Sequence, residues 1–303
     1  MREPRWRISR DRVFAPSGTC APPHGWPMLM AIVNVTPDSF SDGGSFGGPD
    51  AAVQHAMRCI DAGAAIVDVG GESTRPGAVP VPAHEQVRRT VPVIDALARA
   101  GIPAALSIDT TSAEVARQAI AAGAHIVNDV SAGLDDPSMF ETCAATGCGL
   151  VLMHRLRRPS EDSYSNRYAE APAYGDVVVA VRDALSRRVD AAVAAGVARD
   201  AIAIDPGLGF GKSVDDNWNL IRRLDEIALL GHPVLVGASR KSFIGAAAGI
   251  SDPRARDPAS AEAAVECARR GAAILRVHDV PIHREALDAW RRAERRAPSC
   301  QGP

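Results

Sequence analysis

The chain is predicted to be an α/β protein, a (β/α)8 TIM barrel with a short N-terminal extension, and three observations predict it. Eight short apolar runs each end in a polar residue: Asn34, Asp68, Asp109, Asn128, His154, Asp205, Ser239 and the Arg276/His278 pair. Helix-like stretches separate the runs, and seven of these stretches stop at a glycine, namely Gly63, Gly101, Gly123, Gly147, Gly196, Gly231 and Gly271. Glycine enters the left-handed conformation without a Cβ penalty and so marks the turn from a helix into the next strand. The runs do not alternate apolar with polar, which is the pattern of parallel strands buried on both faces. Eight such units in about 275 residues suit a barrel of typically about 250. An open doubly wound sheet would gather its ligand-binding tips at one crevice instead of spreading them over every strand.

Taken in order, the predicted strands are LMAIV (29–33), AAIVDV (64–69), AALSI (104–108), HIVN (125–128), GLVLM (149–153), AIAI (201–204), PVLVG (233–237) and AAILRV (272–277). The stretches between them carry helical spacing, as in Val87, Val91, Ile94 and Ala98, or Leu220, Leu224 and Ile227. Thr111 with Glu114 matches a capping box, and Asp257-Pro258 puts proline just inside a helix start. Residues 1–27 are expected to be an extension, residues 28–298 a single barrel domain, and the stretch from Trp290 a terminal helix. The longest irregular segment, Arg155 to Tyr174, follows the fifth strand on the face where barrel loops build sites.

Bulk properties exclude several classes of partner. In 303 residues, 34 Lys and Arg face 36 Asp and Glu, so no global field recruits nucleic acid or a membrane surface. The six cysteines (Cys20, Cys59, Cys143, Cys148, Cys267, Cys300) show no CxxC or zinc-finger spacing and read as reduced thiols. The start, MREPRWRISRDR, lacks the apolar core of a secretory signal. No run approaches the roughly twenty apolar residues of a membrane span. A cytoplasmic protein is expected.

The strand tips carry the chemistry. After strand one, Asn34-Val35-Thr36-Pro37-Asp38-Ser39-Phe40 combines an amide, hydroxyls and a carboxylate in what is expected to be a mobile lid. After strand two, Gly70 and Gly71 permit close backbone approach, while Ser73, Thr74 and Arg75 offer donors. Asp109, Asn128 and Asp205 close strands three, four and six; carboxylates there are costly unless paired with something specific, such as adjacent N–H donors of a guanine-like heterocycle. The segment from Asp205 to Ser213 ends in GKS, but Pro206 occupies a glycine position of a P-loop and Lys212 one of GxGxxG, so neither nucleotide site is expected. Arg276 and His278, two apart on a strand, point the same way, and with Lys241 they predict an anion pocket where the last two strands meet.

With these residues assembled, the chain resembles the dihydropteroate synthase family. The matching strings are IVNVTPDSFSDGG (32–44), DVGGESTRPGA (68–78), SIDT (107–110), IVNDVS (126–131), LMH (152–154), IDPGLGFGK (204–212), VGASRKSFIG (236–245) and RVHDV (276–280). The resemblance implies a transferase that joins p-aminobenzoate to 6-hydroxymethyl-7,8-dihydropterin diphosphate and releases pyrophosphate, with Mg²⁺ as cofactor. It implies a pterin site of Asp109, Asn128, Met153, Asp205 and Lys241, and a pyrophosphate site of Arg276, His278 and Asn34, the last as metal ligand. Thr74, Pro76, Phe210, Ser239 and Lys241 would border p-aminobenzoate. Catalysis would fall to Lys241, Asp205, Asp109, Arg276, His278 and, in the lid, Asp38. A homodimer and inhibition by sulfonamides are further implications.

Some positions differ from the family's habit. Where a Met- or Gln-containing segment and a glycine before proline are usual, this chain has Arg155-Leu156-Arg157-Arg158-Pro159, three arginines expected to form a solvated loop. Ala31 replaces a glycine, and Arg256-Asp257-Pro258-Ala259-Ser260 is also atypical. These differences keep open an alternative, a weakly active or non-catalytic pterin-binding paralogue. A pterin-dependent methyltransferase on the same barrel would have no use for Arg276 and His278 as a pyrophosphate clamp.

Overall fold

The computed structural model describes residues 5–14, 27–36 and 49–296. Eight parallel strands close into a barrel: β3 (Met28–Asn34), β4 (Ile66–Gly70), β5 (Ala105–Asp109), β6 (Ile126–Asp129), β7 (Gly149–Met153), β8 (Ile202–Asp205), β9 (Val234–Val236) and β10 (Ala272–Val277), with β10 pairing back onto β3. Each coincides with a predicted apolar run to within two residues at either end. Nearly every strand residue is buried, as expected of strands covered on both faces.

Helices α1 (Pro49–Asp61), α2 (Ala83–Arg99), α3 (Ala113–Ala121), α4 (Met139–Thr146), α5 (Val177–Ala194), α6 (Val214–Arg222), α7 (Leu224–Ala228), α8 (Ser242–Ala248), α9 (Asp257–Arg269) and α10 (Val280–Arg296) lie between and after the strands. Their apolar faces pack on the outside of the barrel in one continuous core. All seven glycines expected to end helices have left-handed φ, between +63° and +114°.

The expected capping box at Thr111 and Glu114 does not form. Ser112 takes the cap position of α3 without a side-chain bond, and the Ala113 N–H instead donates to Asp136 Oδ2 at 2.8 Å. A carboxylate from a neighbouring loop outcompetes the local hydroxyl, because a charged acceptor bonds an orphan N–H more strongly. A reciprocal capping box does form at Ser213 and Asp216, opening α6.

The segment set apart as an extension contributes to the barrel itself. Residues Trp6–Arg7 (β1) and Val13–Phe14 (β2) pair as a small antiparallel hairpin under the N-terminal ends of the barrel strands. Trp6, Ile8 and Phe14 are buried against Met28, Met30, Ile66, Ile126 and Ile274. Trp6 Nε1 donates to the Ala201 carbonyl at 2.9 Å, and Gly149 N donates to the Ile8 carbonyl at 2.9 Å. The hairpin therefore covers the lower mouth of the barrel.

Candidate active site

The strand tips converge at the upper mouth. Asp68, Asp109, Asn128, Met153 and Asp205, from β4 to β8, are all buried there. Register aligns Gly70 with Asp109 and Asp109 with Asn128, and separately Met153 with Asp205; Asn128 faces Val151, so Met153 and Asp205 sit two residues further toward the mouth than Asn128. Asn34 ends β3 next to Gly70. A Cβ on Gly70 would stand 3.4 Å from Asn34 Oδ1 and 3.6 Å from Asp109 Cβ, filling space between two expected ligand contacts. Glycine keeps that floor open.

The centre is an ion network. Arg276 donates from Nε to Asp68 Oδ2 at 2.7 Å and from Nη2 to Asp109 Oδ2 at 2.6 Å. Asn128 Nδ2 donates to the same Asp68 oxygen at 3.0 Å, while Asp68 Oδ1 has no hydrogen-bond partner among the described residues. The arginine expected to grip an anion is thus held by two carboxylates, one of them the expected pterin acceptor Asp109. Burial raises the Asp109 carboxyl to about 7, against the pull of Arg276 and with Asp68 adding to the rise. Asp205 is raised to about 6, again by burial, and its Oδ1 accepts from Gly207 N at 2.7 Å. The sequence offers one signal for Asp68, a carboxylate closing an apolar run, which is the same signal that marks Asp109.

One wall is apolar. Val130, Met153 and Phe210 form a small buried cluster of their own, and the Lys241 ammonium lies 3.9 Å from the Phe210 ring centroid. A cation over an aromatic face is attracted by the ring quadrupole. Burial brings Lys241 down to about 8, with Asp205 pulling the other way. Ser239 and His278 meet at 3.0 Å, Oγ to Nδ1, and the His278 N–H donates to Ser239 Oγ at 3.2 Å. His278 is pushed well below its ordinary value, first by burial and then by the positive charges around it, which keeps it neutral.

The loop from Asp205 to Lys212 is not a phosphate cradle. Lys212 is fully buried and turns its Nζ inward, onto the carbonyls of Gly207 and Phe210, each at 2.9 Å, and onto His154 Nδ1 at 3.0 Å. Burial lowers Lys212 to about 7. Gly207 has φ +67°, and a Cβ there would come within 1.9 Å of the His154 carbonyl, so only glycine fits. Sequence reasoning tested Lys212 only as a nucleotide ligand and missed that it ties this loop to β7.

Thr74 and Pro76 lie half-buried on the loop after β4, which docks by a 2.8 Å bond from Gly77 N to the Pro159 carbonyl. No hydrogen bond among the described residues joins either of them to Phe210, Ser239 or Lys241. Asp38 and the rest of the expected lid beyond Thr36 fall outside the described residues.

The upper mouth therefore holds carboxylate and amide acceptors on one side, an apolar wall on another, and Lys241, Arg276 and His278 close by. A model of the family described as "Pterin binding enzyme" matches residues 30–278. A dihydropteroate synthase from Mycobacterium leprae is 47% identical over 270 residues, covering 86% of this chain and 93% of that one. The chain belongs to the dihydropteroate synthase family. Solved structures agree across almost the whole length. The Xanthomonas albilineans enzyme with 4-aminobenzoic acid is similar at a TM-score of 0.85 and 42% identity, covering 98% of this chain and 100% of that one. The same enzyme in complex with 7,8-dihydropteroate is similar at 0.83 and 40%, covering 97% and 100%.

Within that family the divergent arginines take a place the sequence did not suggest. Arg155 is only 6% exposed at its side chain and pairs with Asp135 Oδ2 at 2.6 Å; Arg158 reaches the other oxygen at 3.3 Å. Only Arg157 and the outer part of Arg158 behave as the solvated loop expected. The half-buried Asp135 carboxylate draws Arg155 inward, since a charge in a low-dielectric place gains most from a partner.

Proposed function

We propose that the chain condenses p-aminobenzoate with 6-hydroxymethyl-7,8-dihydropterin diphosphate, giving 7,8-dihydropteroate and pyrophosphate. The observation that carries this is the convergence of buried Asp109, Asn128, Met153 and Asp205 at one mouth, with Arg276 bonded to Asp109, Lys241 over the Phe210 ring and His278 beside Ser239. Flat heterocycles with adjacent N–H donors suit Asp109 and Asp205, and Met153 supplies an apolar surface for the ring. Lys241, between Asp205 and the Phe210 ring, serves both the pterin and the benzoate, whose ring packs by Phe210 and whose carboxylate is met near Ser239. Thr74 and Pro76 border the same benzoate site from the loop after β4.

In the reaction the aniline nitrogen attacks the methylene carbon, the C–O bond to the diphosphate breaks, and the nitrogen gives its proton to water. No enzyme nucleophile takes part. Positive charge develops on the pterin, where Asp109 and Asp205 stabilise it, and negative charge on the departing oxygen, where Arg276 and His278 do so. Once the diphosphate takes the guanidinium of Arg276, Asp109 is released to accept from the pterin. The two halves of the substrate thus complete one another's sites.

Among the described residues no three carboxylate, histidine or cysteine side chains could hold a metal. One neutral oxygen, Asn34 Oδ1 at the edge of the mouth, suits Mg²⁺, which keeps several waters and takes its remaining ligands from phosphates. Asn34 would hold the ion, whose charge would help neutralise the leaving diphosphate. A homodimer formed through helices on the barrel's side, a cytoplasmic location and competition by sulfonamides with p-aminobenzoate belong to the same proposal. Among the described residues no helix is long and apolar enough to cross a membrane.

The test is pyrophosphate release from the pterin diphosphate and Mg²⁺, with and without p-aminobenzoate. Release that requires p-aminobenzoate and yields dihydropteroate is the expected result. Saturable pterin binding without release would instead indicate a non-catalytic paralogue.

A further inference from the structure

Arg240 is one of two described non-glycine residues with positive φ, at +61°. Such a conformation persists only where the surroundings impose it, and such residues gather at functional sites. Its neighbours on either side are Ser239, bonded to His278, and Lys241, seated over Phe210. The direction of both side chains therefore depends on the dihedral angles of residue 240.

Three handles hold it, and all come from the start of α9 and the turn before it. The Arg240 N–H donates to Ser260 Oγ at 3.0 Å, and its carbonyl accepts from Arg256 Nη1 at 3.0 Å. Its guanidinium forms a fork with Asp257, Nε to Oδ1 and Nη2 to Oδ2, each at 2.7 Å. The Asp257 side chain is only 8% exposed. Ser260 Oγ in turn donates to the Arg256 carbonyl at 2.7 Å, and Arg256 Nε to the Ile250 carbonyl at 3.0 Å, which closes the frame. Two parallel bonds fix direction as well as distance, which a single backbone bond does not.

We propose that Asp257 is a positioning residue: through its paired bonds to Arg240 it holds the left-handed turn that aims Lys241 and Ser239 into the site. It touches no substrate. The inference rests on the reading of Lys241 and Ser239 given above, and it assigns a purpose to the atypical segment 256–260. It also explains why an arginine can occupy a turn that glycine would adopt without strain: the side chain supplies the tether that offsets its own disfavoured backbone.

Five proteins test it: wild type, Asp257→Ala, Asp257→Glu, Arg240→Gly, and the double variant of Asp257→Ala with Arg240→Gly. Asp257→Ala is expected to lower kcat/KM for p-aminobenzoate roughly 10- to 100-fold, the scale of a misplaced catalytic group. Glycine enters the left-handed region freely, so Arg240→Gly should stay within about threefold of wild type, and Asp257→Ala should cost nothing further in that background. Asp257→Glu, which keeps the charge, should recover part of the loss. Calorimetric titration with the pterin diphosphate gives a second readout that needs no turnover, and the same pattern is expected through Lys241. A double variant as impaired as Asp257→Ala alone would overturn the proposal, because Asp257 would then act on something other than the turn. So would an unimpaired Asp257→Ala in a wild type that turns over. A wild type that binds but does not turn over would sink the synthase reading alone, and the binding pattern would still decide the role of Asp257.

Discussion

At the lower end of the barrel Trp6, Ile8 and Phe14 meet Met28, Met30 and Ile66 in an apolar plug. At the upper end, two to four residues further along the same strands, Asp68, Asp109, Asn128 and Asp205 are buried near Arg276 and Lys241. Burial is nearly equal at both ends, yet it does opposite things. Below, the cluster is apolar and its one polar side-chain atom, Trp6 Nε1, is bonded to the Ala201 carbonyl, so burial stabilises the fold. Above, burial raises two carboxyls, depresses the Lys241 ammonium and lowers a histidine, so those groups stay poised for a ligand that completes their pairing. The strands supply stability at one end and stored electrostatic demand at the other.

The largest expected effect that would break this contrast is at Lys241. Lys241→Ala should lower kcat/KM by roughly 10³-fold or more, about 4 kcal/mol of transition-state stabilisation, because one ammonium serves both substrates. Stability should fall by less than about 1 kcal/mol, since the folded protein already disfavours this buried charge. Steady-state kinetics beside thermal unfolding check both halves. Near-normal turnover would end the assignment of Lys241, and a large loss of stability would erase the difference between the two ends.

The reverse outcome is expected at Trp6. Its side chain is fully buried and bonded to the Ala201 carbonyl, so Trp6→Ala should cost about 3–5 kcal/mol. Turnover per folded molecule should stay at wild-type level. Denaturant unfolding with kinetics on the surviving folded fraction would show whether the plug is structural alone. A matching loss of kcat would mean that the lower end communicates with the site.

These two positions also mark what the sequence made legible. The upper end could be read because each strand tip is local: Asp109 follows an apolar run, and a carboxylate in that place requires a reason. The cycle of glycines marked the turns for the same reason, since a left-handed helix end is a property of a single residue. The lower plug could not be read, because β1 and β2 are two residues each and carry no periodicity. The pairing of Arg276 with Asp68 joins residues 208 apart, and the pairing of Arg240 with Asp257 depends on where α9 begins. The polar residues were visible; which of them would face one another was not, because that is set by barrel register and loop packing. The arginines at 155 and 158 were misjudged for the same reason, as Asp135 arrives from another loop.

The smallest effect is the one that sharpens the electrostatic half of the comparison. Asp109, near 7, and Asp205, near 6, must be ionised to accept N–H donors from the pterin. As pH falls through 7 and then 6, both acquire protons and acceptors are lost. As pH rises through about 8, Lys241 loses its ammonium. The affinity for the pterin alcohol, which lacks the diphosphate and its ionisations, should therefore peak between about 7 and 8 and fall by up to about tenfold per pH unit on either side. Lys241→Arg keeps its charge across this range, so its normalised profile should retain the acid limb and lose the alkaline one. Fluorescence titration at half-unit steps would resolve both limbs. A flat profile in the wild type would mean that these carboxyls are ionised throughout, held so by Arg276 and Lys212 in spite of their burial.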